Sequence, residues 1–142
     1  MCGIAGLINQ NPENHIGVML KAIEHRGRDD EGVFISPKFG NDELKTCLGH
    51  RRLSIIDTSS AGHQPFFSAN KRFVLTYNGE LYNYLEIKKE LEAKGYKFYT
   101  DCDTEVLINA FQEWQTDCLP RLNGMFAFAV WDEREKTMTL DG

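Results

Sequence analysis

Near its C-terminal end the chain carries Met125-Phe126-Ala127-Phe128-Ala129-Val130-Trp131, seven residues without one polar side chain. Successive side chains of a strand point to opposite faces, so a strand that is apolar at every position must be covered on both. Such a strand belongs in a sheet packed on each side, inside a layered fold. Residues 132–136 read as a turn and 137–140 as the start of a return strand. With 142 residues, 42% of them hydrophobic, the chain has enough apolar surface for one domain with a proper core.

The remaining elements follow from the same periodicities. Ile4, Leu7 and Ile8 mark a short buried strand, and Ile16, Met19, Leu20 and Ile23 recur at helical spacing. Val33-Phe34-Ile35 and the run 44–48 flank Pro37, Gly40 and Asn41 as a hairpin. Residues 73–77 form an apolar, β-rich run that ends at Asn78-Gly79, first of all a turn signal. A helix is expected over 80–95, with Leu81, Tyr84, Leu85 and Leu91 on its buried face and Gly95 as its stop. A short strand at 96–99 and a helix beginning near Asp103, its N-cap, complete the set. Helices in two groups separated by strand pairs predict two sheets stacked between helical layers.

Composition narrows the function. A formal net charge of -5 and the absence of a Lys/Arg run argue against a nucleic-acid surface. No apolar window is long enough for a membrane span and no signal peptide precedes the first strand, so a cytoplasmic location is expected. Cys2, Cys47, Cys102 and Cys118 are dispersed, without a C-x-x-C pair or a metal-ligand histidine spacing, which predicts four free thiols and no metal site.

The chemistry-bearing stretch is Met1-Cys2-Gly3-Ile4-Ala5-Gly6-Leu7. A small second residue permits removal of Met1, which would give Cys2 a free α-amino group, and an N-terminal amine can serve as the base for its own nucleophile. The alternative is an inert, buried cysteine. Three further places are open to two readings. In His25-Arg26-Gly27-Arg28-Asp29-Asp30-Glu31-Gly32 the charges either solvate a loop or, through Arg26, Asp29 and Asp30, hold it by ion pairs near the N-terminal residue. Arg51 and Arg52 point to opposite faces of a strand, so one of them can turn inward toward a carboxylate. Asn78-Gly79 is either a turn or a pair of donors for an oxyanion.

Taken together, Met1 to Gly6, His25-Arg26-Gly27, Gly49-His50, Arg52 to Asp57, Gln64-Pro65, Tyr77-Asn78-Gly79-Glu80-Leu81-Tyr82-Asn83, Asp103-Thr104-Glu105 and Leu122-Asn123-Gly124-Met125-Phe126-Ala127-Phe128 resemble the N-terminal glutaminase domain of asparagine synthetases. These are class II glutamine amidotransferases of the N-terminal-nucleophile hydrolase fold. The resemblance implies an α+β architecture, a four-layer α-β-β-α sandwich of two mostly antiparallel sheets. It implies that Cys2 attacks the side-chain amide of L-glutamine, with Asn78 and Gly79 as the oxyanion hole. Arg52 would bind the α-carboxylate, Glu80 and Asp103 the amino group, and Leu53, Ser54, Ile55 and Ile56 would line the pocket.

The chain departs from that pattern at Arg28, where the family usually has proline, and it stops at Gly142, where members continue into a final strand and a synthetase domain. The expectation is therefore a C-terminally incomplete glutaminase domain with an exposed sheet edge. No cofactor is expected in this chain. ATP and Mg would act only in the absent synthetase domain, the partner for the released ammonia, and a homodimer stays open. The competing expectation is an inactive fragment or a glutamine-binding interaction module.

Overall fold

A computed structural model describes residues 1–54 and 59–142. Its elements are β1 (Gly3–Asn9), α1 (Glu13–Ala22), β2 (Asp30–Ile35), β3 (Lys45–Arg52), β4 (Phe66–Phe67), β5 (Phe73–Leu81), α2 (Tyr84–Ala93), α3 (Asp103–Trp114), β6 (Gly124–Asp132) and β7 (Thr137–Asp141). One sheet has the order β1-β3-β2 and the other β4-β5-β6-β7. Every strand pairing within them is antiparallel.

Side-chain alternation stacks these elements into four layers. On β3, Cys47 packs with Ile16 and Leu20 of α1, and a Cβ at Gly49 would press on the same two side chains. Leu48 faces the other way and joins Val74, Ala129 and Trp131 between the sheets, with Phe34, Phe39 and Met138 around them. On the far side of β5 and β6, Phe73, Leu75, Tyr77, Phe128 and Val130 pack under α2 and α3 against Ile87, Leu91, Leu107 and Phe111. The order α1, first sheet, second sheet, α2 with α3 is the α+β sandwich expected.

Several local expectations give way to tertiary pairing. Asn78-Gly79 is no turn: β5 runs through it, with Gly79 opposite Phe126 and Glu80 opposite Met125. Glycine is needed there because a Cβ would lie 2.4 Å from the Met125 carbonyl oxygen and 2.5 Å from Phe126 Cα. The next helix accordingly starts at Tyr84 rather than Glu80, and its buried face carries Ile87 and Leu91 while Leu85 is 56% exposed. Residues 96–99 are not a strand. The backbone N–H groups of Tyr99 and Thr100 are satisfied instead by the Glu105 carboxylate, at 2.6 and 3.0 Å. Asp103 is the first residue of α3, and Cys102 holds the extended N-cap position. The charged loop after α1 is shorter than expected, since Glu24–Arg26 is a 3₁₀ turn and β2 already begins at Asp30.

The all-apolar strand is covered on both faces only from Phe128 onward, and Met125 is 68% exposed. At that end the sheets part.

Candidate active site

Where the sheets part lies a cleft of about 490 Å³. Its walls include Cys2, Arg52, Leu53, Ser54, Asn78, Gly79, Glu80 and Asp103. These residues come from four places in the chain, so the fold gathers every described residue that the resemblance assigns to the site. Ile55 and Ile56 lie outside the described residues.

Cys2 stands just ahead of β1, at the mouth of the inter-sheet layer. Its Sγ faces the backbone of Leu53, whose N–H donates toward the sulfur at 3.4 Å, and Arg26 Nε donates to the Cys2 carbonyl at 3.0 Å. The charged loop is thus held near Cys2 mainly by side chain to backbone bonds, not by ion pairs among Arg26, Asp29 and Asp30. Asp29 Oδ2 accepts from the Ser54 N–H at 2.8 Å, and Asp30 pairs with His63.

Alternation along β3 separates the two arginines. Arg51 shares a face with Cys47 and Gly49 and reaches Glu24 at 3.0 Å, with Glu31 as its second ion-pair partner. Arg52 shares a face with Leu48 and His50, is 8% exposed, and donates from Nη1 to the Ser59 carbonyl at 2.6 Å. Gly62 makes room for it, since a Cβ there would lie 2.2 Å from Nη2.

The direction of the Gly79 N–H follows from its neighbours. The Tyr77 N–H donates to Gln64 Oε1 at 2.7 Å and the Leu81 N–H to Asp103 Oδ2 at 3.0 Å, both on the side away from β6. Backbone N–H groups alternate along an antiparallel strand, so that of Gly79, midway between them, points the same way. There it meets the cleft instead of a partner strand. The Asn78 side chain lines the cleft as well and makes no hydrogen bond among the described residues.

Tyr77 is the hub that sequence reasoning did not pick out. Besides its N–H, its carbonyl accepts from His50 Nε2 at 3.1 Å and its hydroxyl donates to Asp103 Oδ2 at 2.7 Å. A carbonyl can only accept, so His50 carries its proton on Nε2. Burial pushes the His50 imidazole down to about 4, which keeps it neutral near pH 7. Burial first, and then the Asp103 charge, push the Tyr77 phenol far above its ordinary value, so it remains a donor. The Tyr77 and Leu81 bonds both fall on Oδ2 of Asp103, a residue that lines the cleft. His50, Gln64 and Tyr77 all stand in the motifs quoted above, but nothing local signals that they bond one another.

No group of three or more His, Cys, Asp or Glu side chains among the described residues could hold a metal ion. No helix among them is long and apolar enough to cross a membrane.

The family described as a glutamine amidotransferase domain matches residues 1–141. The chain is 39% identical to a Bacillus subtilis protein named asparagine synthetase (glutamine-hydrolyzing) 1, over 97% of this chain and 22% of that protein. It is 33% identical to the Arabidopsis thaliana protein of the same name, over 96% of this chain and 23% of the relative. It therefore spans about a fifth of the length of these curated relatives. The solved structure of glutamine phosphoribosylpyrophosphate amidotransferase from B. subtilis, complexed with ADP and GMP, is similar with a TM-score of 0.68 at 26% identity. That likeness covers 99% of this chain and 36% of the other. A match along nearly the whole chain, with the same fold beneath it, makes this chain a member of the glutamine amidotransferase domain family.

Proposed function

We propose that this domain hydrolyses L-glutamine to glutamate and ammonia through a thioester on Cys2. The observation that carries the reading is the single cleft in which a thiol, an inward arginine, a carboxylate and two free donors converge. With Met1 removed, the Cys2 α-amine takes the thiol proton as sulfur attacks Cδ of the glutamine side chain. The oxygen that becomes negative is met by the Asn78 amide and the Gly79 N–H. Collapse of this intermediate breaks the C–N bond, and the proton held by the amine leaves with ammonia. Water then attacks the thioester, giving up a proton through the same amine, and glutamate departs as the thiol is restored.

The other cleft residues fix the substrate. Arg52 takes the α-carboxylate with its planar fork. Oδ1 of Asp103 and the exposed Glu80 carboxylate take the ammonium, and the backbone of Leu53 and Ser54 flanks the chain. In a longer protein the ammonia would pass to an amidation such as the asparagine synthesis that the relatives are named for, and ATP and Mg would act in that step.

The test is ammonia release from glutamine by the protein, with its intact mass measured alongside. Release that requires loss of Met1 and disappears in Cys2→Ala bears the reading out. A folded, processed protein that binds glutamine and releases no ammonia is a binding module instead.

A further inference from the structure

Tyr77 reaches the cleft from inside the core. Its ring belongs to the apolar set under α2 and α3, with Phe73, Leu75, Leu107 and Phe128, and the residue is 3% exposed. A buried phenol needs a partner for its O–H, and here the partner is Asp103 Oδ2 at 2.7 Å. The Leu81 N–H donates to the same oxygen at 3.0 Å. Tyr77 and Leu81 both belong to β5, so one strand holds Asp103 twice. One hold is backbone, and the other is a side chain whose own place is set by packing.

A carboxylate held at one oxygen by a single donor can still turn about that contact, whereas two donors from different directions stop it. The other oxygen, Oδ1, accepts no hydrogen bond among the described residues. Asp103 is the first residue of α3, where the helix dipole favours its ionised form. It lines the cleft together with Glu80, and neither has an ion-pair partner among the described residues.

We propose that Tyr77 is a positioning residue, whose hydroxyl fixes the Asp103 carboxylate for the substrate α-ammonium and so sets the preference of the cleft for a free α-amino acid over a side-chain amide that lacks the α-amine. The proposal rests on the reading that Asp103 takes the ammonium. Without the hydroxyl, Asp103 keeps the Leu81 bond but swings about it, and its ion pair with the ammonium loses a fixed direction. The amide being cleaved is not touched. The backbone of Tyr77 has a separate role, since its N–H and carbonyl are held by Gln64 and His50 just ahead of Asn78. Tyr77→Phe keeps the ring and both of those bonds, so it isolates the hydroxyl.

The experiment measures ammonia release from L-glutamine and from glutaramate, which is glutamine without its α-amino group, by the wild type, Tyr77→Phe, Asp103→Ala and the double variant. In Tyr77→Phe, KM for glutamine should rise about three- to thirtyfold with kcat within about twofold, while kcat/KM for glutaramate stays within about twofold of wild type. Adding Tyr77→Phe to Asp103→Ala should raise the glutamine KM no further. An unchanged KM in Tyr77→Phe, equal losses on the two substrates, a fall in kcat in place of a rise in KM, or full additivity in the double variant overturns the proposal. If glutaramate turns over too slowly to measure, the glutamine constants of the four proteins decide; if Asp103→Ala does not fold, the KM-against-kcat split in Tyr77→Phe decides. Asp103→Ala separates the two levels. If it impairs both substrates alike, the ammonium site and the positioning role fall together, whereas an Asp103→Ala that loses glutamine alone, beside a silent Tyr77→Phe, removes only the positioning role.

Discussion

The two ends of the layer between the sheets are built from the same strands and differ in what those strands present. At one end Leu48, Val74, Ala129 and Trp131 close on one another, nearly without exposure. At the other, a few residues further along, β3 presents Arg52, β5 presents Asn78 and Gly79, and β6 presents the exposed Met125. The ladder between β5 and β6 is unbroken from Phe73 to Leu81, so the backbone is equally regular at both ends. What separates a core from a cleft is side-chain chemistry alone. Polar and small residues on a regular strand hold the sheets apart where an apolar set would draw them together.

Truncating each end should separate stability from activity. Trp131→Ala at the closed end should cost about 3–5 kcal/mol of stability, read from denaturant unfolding. Asn78→Ala at the open end should cost about 2.7–4 kcal/mol in the transition state, roughly 10²–10³ in kcat, with the unfolding midpoint close to wild type. If Asn78→Ala destabilises as much as Trp131→Ala, the open end is part of the core and the comparison fails.

The two arginines sharpen the contrast within one strand. Arg52→Lys keeps a charge but loses the fork and should lower kcat/KM for glutamine about ten- to a hundredfold, or roughly 1.5–3 kcal/mol. Arg51→Lys alters ion pairs with Glu24 and Glu31 on the helix-facing side and should stay within about 1 kcal/mol in stability and near wild type in activity. Equal sensitivity of the two would show that the side of the sheet is not what decides the role.

His50 sits where the two ends meet, and its effect should be the smallest. Its folded-state value of about 4 lies below the ordinary imidazole value, so the stability it contributes is present above about pH 6.5 and is lost as pH falls toward 4. Between about pH 7 and 5 the loss should be on the order of 2 kcal/mol, and His50→Gln should flatten that part of the stability profile. An unchanged profile in the variant would mean that the acid sensitivity lies elsewhere.

Residue chemistry and periodicity marked Cys2 as a candidate nucleophile, one of two adjacent arginines as inward and the apolar strand as covered on both faces, because each depends on near neighbours in the chain. Period-two alternation needs only adjacent residues, and it correctly sends Arg51 and Arg52 to opposite faces. The local signals failed where a distant partner outbid them. Asn78-Gly79 is a strong turn pair, but pairing with Phe126 and Ala127 of β6 draws it into a strand and turns its donors toward the cleft. Asp103 has the makings of an N-cap, but Tyr77 and the Leu81 N–H claim its carboxylate, and it enters the helix one position later.

By itself the sequence determined the layered α+β class, the strand phases and the candidate site residues, since these follow from side-chain type, spacing and motif. Only the tertiary structure decided which groups share a cleft and which way their donors point. Tyr77 donates to Gln64 and Asp103 and accepts from His50, residues 13, 26 and 27 positions away. Such bonds form only once two sheets and a helix have been brought together by apolar burial, which is non-directional and leaves no trace of its partners in the local sequence.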